Sequence, residues 1–388
     1  MRETIEKYGD IEIIRENSVI YYVIPKGISR FNEAIDKILL DENIEEIMYN
    51  GNNSPIIIYH HRYGMCQTII PFSDKEASFF AGEAAKFIGK RLDANSPVLD
   101  AALPDGNRIN ATIPPASSFV TITIRKFLKS TKNLLDLIKD GTITADIAAY
   151  IWLCTSRISE PSNILFVGGT ASGKTTLLDA TAMLISPNER IVVIEDTKEL
   201  KLTQKNVVRM ISKEGLTMDS LLQNALRMRP DRILVGEVRG SEAITLFNSM
   251  NTGHSGCMGT LHANSARECI TRVTNPPMSV PVVMLDGLQL IIVLKKMPDG
   301  ARKLIEIAEI AGADIDGAKL NIVYSFDPKK NSCIETGIPS RLKSKIAQDS
   351  GKNIKEIDAL LRIKKETFVA MAKKNAASQE LVIEALKF

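Results

Sequence analysis

The feature that most restricts this chain is the run Asn163-Ile-Leu-Phe-Val-Gly168-Gly-Thr-Ala-Ser-Gly173-Lys174-Thr175-Thr176. Ile164 to Val167 is continuously apolar, the pattern of a strand buried on both faces. The loop after it matches G-x-x-x-x-G-K-[ST], and Leu177, Leu178, Thr181, Leu184 and Ile185 follow at helical spacing up to Pro187. A strand that feeds a glycine loop opening a helix is an anion cradle. The glycines let backbone N–H groups turn inward, and the helix N-terminus adds its positive end. Gly168, Gly169, Thr170, Ala171, Ser172, Gly173, Lys174, Thr175 and Thr176 are therefore expected to wrap the phosphates of ATP. Lys174 is expected to reach the β- and γ-phosphates, and the Thr175 hydroxyl to ligate Mg²⁺.

Ile191 to Ile194 and Ile233 to Val235 read as two more buried strands, and strand alternates with helix, which predicts a parallel α/β domain. Ligands in such sheets bind beyond the carboxyl ends of the strands. Glu237 stands at one such end, after Gly236, and is expected to be the catalytic base that orients water at the γ-phosphate. Ile194-Glu195-Asp196-Thr-Lys-Glu199 ends another strand, and its three acids are placed to hold Mg²⁺ or its water. Spacing alone does not rank them; Thr175, Glu195 and Glu237 form the expected metal set. The segment Thr252 to Asn264 holds His254 and His262, two of the four histidines. A zinc reading of His254, Cys257 and His262 lacks a fourth ligand. A neutral imidazole sensing the γ-phosphate suits this segment better, beside the plainer alternative of a turn histidine.

A chain of 388 residues suggests two or three domains. The net charge of +3 and an aromatic content of 5% argue against a globally basic nucleic-acid binder or a base-stacking groove. The N-terminus is charged, no apolar run reaches the ~18 residues a bilayer span needs, and five scattered cysteines without C-x-x-C suggest free thiols in a reducing cytoplasm. Val19 to Pro25, Ser54 to Tyr59 and Val120 to Lys126 read as strands. Ser73 with Glu76 reads as a capping box opening a helix whose Phe79, Phe80, Ala84, Phe87 and Ile88 are expected in the core. These elements set an α+β domain at 1–128, a linker at 129–142 and the P-loop domain at 143–328. That domain ends on a hairpin of Lys303 to Ile310 and Lys319 to Phe326 flanking Asp316-Gly317. Residues 329–388 carry thirteen Lys/Arg against seven Asp/Glu and read as a basic helical extension, either a solvated face or a surface for anionic lipid or an acidic partner loop.

In this order, the phosphate loop, the acidic box 195–199, Gly236-Glu237 and the block ending His262-Ala-Asn264 resemble the secretion ATPases of type II secretion, type IV pili, archaeal surface filaments and type IV secretion. Leu226-Arg-Met-Arg-Pro-Asp231, Leu39 to Met48 and Pro104-Asp-Gly-Asn-Arg-Ile-Asn110 extend the likeness over roughly residues 30 to 325. The resemblance implies a RecA-like P-loop domain with a parallel-rich sheet, preceded by a smaller α+β domain. It implies a homo-oligomeric ring, usually a hexamer, with Lys174, Glu195, Glu237 and His262 catalytic. Arg108 and Arg125 are the matching arginines expected to reach the phosphates, with Arg239 a third candidate. It implies an ATP-hydrolysing motor at the cytoplasmic face of the membrane, powering pilus or filament assembly or secretion through a polytopic platform protein. No specific nucleic acid is expected, and peripheral membrane association is. Conjugation-type DNA or protein transfer, or a nucleic-acid-stimulated RecA-like motor, is the alternative. Thr197 stands where many members carry proline, and there is no tetracysteine motif. These departures point toward the compact conjugation-like, tight-adherence-like or archaeal branches.

Overall fold

The computed structural model describes residues 2–25, 27–126, 132–314 and 317–373. The chain divides into two units, Met1–Ser130 and Thr131–Phe388.

The first unit contains β1 (Arg2–Tyr8), β2 (Ile11–Glu16), β3 (Val19–Val23), α1 (Phe31–Leu40), β4 (Ile44–Tyr49), β5 (Pro55–His60), β6 (Gly64–Pro71), α2 (Asp74–Phe87), β7 (Val98–Ala102), β8 (Arg108–Thr112) and β9 (Thr121–Arg125). Its sheet runs β1-β2-β3-β6-β5-β4-β9-β8-β7 among the described residues. The strands alternate: Ile56, Ile58 and His60 of β5 are buried, while Ile57 and Tyr59 are half-buried. The buried rows pack against Phe31, Ala34, Ile35 and Ile38 of α1 and Ala77, Ala81 and Ala85 of α2.

The α2 contact corrects the sequence reading. Ser73 does cap the helix, accepting from Glu76 N at 3.3 Å, but the face turned inward is the alanine stripe. Phe79 is 61% and Phe87 75% exposed. At 3.6 residues per turn, a residue two positions beyond an alanine lies on nearly the opposite side. Small side chains let the helix lie close to the sheet, while Phe80, Ala84 and Ile88 are partly buried against the same core, Phe80 with its ring centroid 5.7 Å from that of Phe31.

The second unit contains α3 (Leu134–Lys139), α4 (Ala145–Thr155), β10 (Ile164–Gly168), α5 (Lys174–Ala182), β11 (Ile191–Glu195), β12 (Val207–Ile211), α6 (Met218–Ala225), β13 (Arg232–Val235), α7 (Glu242–Asn251), β14 (Met258–Leu261), α8 (Ala266–Thr274), β15 (Leu290–Lys296), β16 (Arg302–Asp314), β17 (Gly317–Asp327), β18 (Ser332–Glu335), α9 (Arg341–Asp349) and α10 (Ile354–Lys373). The sheet order is β12-β11-β13-β14-β10-β15-β16-β17-β18. Pairing is parallel from β12 to β15 and antiparallel from β15 to β18. The apolar runs are continuous because the parallel strands feed two cores. Ile164, Phe166, Ile191 and Val193 face one, and Leu165, Val167, Val192 and Ile194 face the other. This is the α/β, RecA-like arrangement expected.

Two expected boundaries change. The stretch 129–142 is not simply a linker, since Leu134, Leu135 and Leu137 of α3 are buried in the core of the second unit. Asn133 closes a capping box at the start of that helix. Nor are residues 329–373 an appended extension. β18 pairs with β17, and Leu342, Ile346, Ile357 and Phe368 lie in the same core as the phosphate-loop strand. Residues 374–388 and Asp316 lie outside the described residues. No helix among the described residues is long and apolar enough to cross a membrane.

Candidate active site

The phosphate loop leaves β10, which is inserted between the sequence-consecutive strands β14 and β15, so that the connection from β14 to β15 passes over it. Such a crevice at the carboxyl end of the strands is where open α/β sheets bind ligands. Gly168 is obligatory, because a Cβ there would collide with the Leu294 carbonyl and Ser172 Oγ. Gly173, the N-cap of α5, has φ +95°. Ala171 is left-handed too, at φ +57°. Lys174 is 7% exposed, and its Nζ donates to the Gly169 carbonyl at 2.9 Å. Thr175 and Thr176 are half-buried in the first turn of α5. Ser172 Oγ is buried without a hydrogen-bond partner. Such an orphan, in the loop that opens a helix, fits a site made for a phosphate oxygen.

β14 lies between the loop strand β10 and β13. Glu237 therefore emerges just past β13 and His262 just past β14, and they meet: His262 Nε2 is 3.2 Å from Glu237 Oε1. Burial, then the charges of Lys174, Arg272 and Arg239, hold His262 below its usual pKa. The imidazole is thus neutral at pH 7, and with Glu237 as acceptor its proton belongs on Nε2. The same block reaches the loop, since a Cβ on Gly169 would stand 3.8 Å from Asn264 Oδ1.

The structure separates the acids that spacing did not rank. Glu195 is 1% exposed; its Oε1 accepts from Glu199 N at 2.9 Å and Leu200 N at 2.8 Å. Its Oε2 has no hydrogen-bond partner and stands 3.7 Å from Arg209. Burial pushes its carboxyl up, against those bonds and Arg209. Gly236 is explained here: a Cβ would come within 3.1 Å of Glu195 Cγ. Asp196 is ion-paired with Arg239 and accepts from Ser212 Oγ at 2.5 Å, while Glu199 is exposed. Arg239 Nη1 is also 3.9 Å from Glu237.

His254 and His262 flank opposite ends of β14, which rules out a shared zinc site. Cys257 Sγ instead donates to the His254 carbonyl at 3.2 Å, and no three His, Cys, Asp or Glu among the described residues are placed to hold a metal. Mg²⁺ needs no such cage. It takes one or two carboxylates with phosphate and water oxygens, and the Thr175 hydroxyl, Glu237 and the Glu195 oxygen that lacks a hydrogen bond supply donors of that kind. Arg108 and Arg125, in the first unit, face each other as a direct cross-strand pair. Arg108 also forks onto Asp100 at 3.0 and 2.8 Å.

Two residues escaped the sequence reading. Glu242 Oε1 accepts from Arg239 N at 2.6 Å and Gly240 N at 2.8 Å, fixing the turn after Glu237. Arg302 of β16 donates Nε to the Ala171 carbonyl at 3.0 Å. The first lies in the right neighbourhood and could be suspected from position. The second is 131 residues from its partner, and no local pattern marks it.

A family model described as "Type II/IV secretion system protein" matches residues 33–311. The chain is similar to protein MJ0781 of Methanocaldococcus jannaschii, with 43% identity over 231 residues, covering 57% of this chain and 32% of that one. It is 32% identical to the probable conjugal transfer protein TrbB of Sinorhizobium fredii over 305 residues, covering 74% of this chain and 91% of TrbB. The X-ray structure of the Legionella pneumophila ATPase DotB shares the fold at TM-score 0.56 and 17% identity, over 89% of this chain and 91% of that one. The chain spans 32% of the length of MJ0781 and 58% of that of MJ0900 from the same organism.

Proposed function

The chain belongs to the type II/IV secretion system protein family, and on that premise we propose that it is an ATP-hydrolysing motor acting as a homo-oligomeric ring, six-membered as is usual for secretion ATPases. The ring works at the cytoplasmic face of the membrane and powers pilus or filament assembly, or protein secretion, through a polytopic platform protein. The observation that carries this reading is the convergence of a buried Lys174, an orphaned Ser172 hydroxyl and the Glu237–His262 pair at the carboxyl ends of β10, β13 and β14.

In this reading the loop N–H groups and Lys174 bind the β- and γ-phosphates of ATP. Glu237 orients the attacking water and accepts its proton; His262, a neutral donor, holds the other carboxylate oxygen in place. Thr175, Glu195 and Glu237 would hold Mg²⁺, which supplies charge neutralisation at the phosphates. Arg108 and Arg125 add positive charge from the first unit. Within that unit Arg108 is paired with Asp100, and Arg125 stands opposite Glu46 on its other neighbour strand. Peripheral contact with anionic lipid through the lysine-rich C-terminal region belongs to the same proposal. Lys343 and Lys365, however, already pair with Asp358 and Asp146.

The test is Glu237→Gln in the full chain. Turnover should fall by about a hundredfold or more, with Mg·ATP binding retained by calorimetry. Undiminished turnover overturns the assignment. Single-stranded nucleic acid should leave the wild-type rate unchanged; strong stimulation would instead favour the nucleic-acid motor.

A further inference from the structure

We propose that Arg302 is a positioning residue for nucleotide capture, holding the phosphate loop in its binding-competent form through the carbonyl of Ala171. The inference rests on the nucleotide reading of the loop and adds a determinant outside every motif.

Two observations meet here. Ala171 is the one non-glycine residue of the loop with positive φ, at +57°. An L-residue populates that conformation less readily than the right-handed one by about an order of magnitude. The loop therefore favours another shape unless something outside it compensates. Arg302 Nε donates to the Ala171 carbonyl at 3.0 Å, a bond that exists only while that peptide keeps its orientation. The Arg302 stem also runs beside the helix entry, where a Cβ on Gly173 would stand 3.4 Å from Arg302 Cδ. One side chain thus holds the loop at its crest and lies beside its exit.

The anchor is firm. Arg302 opens β16 opposite Lys296, and β15 pairs in turn with β10, the strand that launches the loop. The guanidinium is referred to the same sheet as the loop's base. A loop competent in only a fraction of molecules has its apparent affinity reduced by that fraction, while saturating ligand restores the shape. Removing the brace should thus weaken binding and spare the chemical step.

A double-mutant cycle on the full chain, reading Mg·ATP Kd by calorimetry and kcat by phosphate release, separates this from a direct charge effect. Arg302→Ala should raise Kd about tenfold with kcat within about twofold. Glycine adopts positive φ freely, so in an Ala171→Gly background the same change should raise Kd less than about threefold. Arg302→Met, which keeps the packed stem and carries no N–H donor, guards against a folding defect and should show the same split, with an unchanged melting curve. An equal loss in both backgrounds, or a loss confined to kcat, overturns the proposal. Failure of the wild type to take up Mg·ATP would instead remove the nucleotide reading beneath it.

Discussion

Gly236 and Glu195 show how one residue's identity follows from another's position. Glu195 is 1% exposed with one oxygen tied to two backbone N–H groups, so it has little room to yield to a Cβ at 3.1 Å. Gly236→Ala should cost about 1–3 kcal/mol by urea denaturation, as overpacking does, and turnover should fall with it. His262 makes a prediction of opposite kind. Its pKa lies below the ordinary 6.5 because burial and then Lys174, Arg272 and Arg239 disfavour the imidazolium, and Glu237 at 3.2 Å does not reverse this. The folded chain binds fewer protons there than the unfolded one. The stabilising contribution is therefore in place above pH 6.5 and is lost as pH falls through the depressed value. The acid limb of turnover should have its midpoint below pH 6.5, and His262→Gln should shift that limb. An identical limb in the variant would sink the assignment. Residues such as Lys174 and Glu237 were legible in the sequence because a contiguous motif or a strand end marks them. Glu195 was legible as a candidate, but not as the buried member of its trio, since ranking it required the neighbour strand that carries Gly236.

At the scale of the element, helical period was readable but phase was not. In α2 the hydrophobic weight of Phe79 and Phe87 pointed one way and close packing the other, because Ala77, Ala81 and Ala85 carry little apolar area each yet permit near approach to the sheet. Phe79→Ser and Phe87→Ser should each shift the stability of the isolated chain by no more than about 0.5 kcal/mol, as exposed substitutions do. A loss of core size would restore the original reading. α9 shows the reverse case, an element fixed by a residue distant in sequence. Glu309 of β16 is 1% exposed and accepts from Tyr150 Oη, Ser340 Oγ, Arg341 N and Leu342 N. It caps the first turn of α9, where a carboxylate is favoured by both hydrogen bonding and the helix dipole. Glu309→Ala leaves several buried donors unsatisfied, each worth about 1–3 kcal/mol. The second unit should lose at least about 3 kcal/mol in urea, and Glu309→Gln less.

At the scale of the molecule, the parallel sheet was predictable from its two-sided apolar strands, whereas the place of the lysine-rich C-terminal region was not. Charge composition describes what faces water and says little about a few deeply buried anchors. Leu342, Ile346, Ile357 and Phe368 are such anchors, all in the core that contains the phosphate-loop strand. Burial of four side chains of this size is worth about 6–12 kcal/mol, against a typical net stability of about 5–15 kcal/mol. A reporter is built in. Trp152 is the only tryptophan of the chain, is 3% exposed on α4, and carries Lys364 of α10 over its ring at 4.6 Å from the centroid. Ending the chain after residue 328 should therefore red-shift the Trp152 emission and abolish cooperative unfolding of the second unit. Removing residues 1–130 should leave the emission where it was, because among the described residues every buried member of the Trp152 core belongs to the second unit. If the C-terminally shortened chain kept the native emission and a cooperative melt, the region would be an ornament on a complete domain. A functional loss on truncation would then have to be sought in its surface charge rather than in its packing.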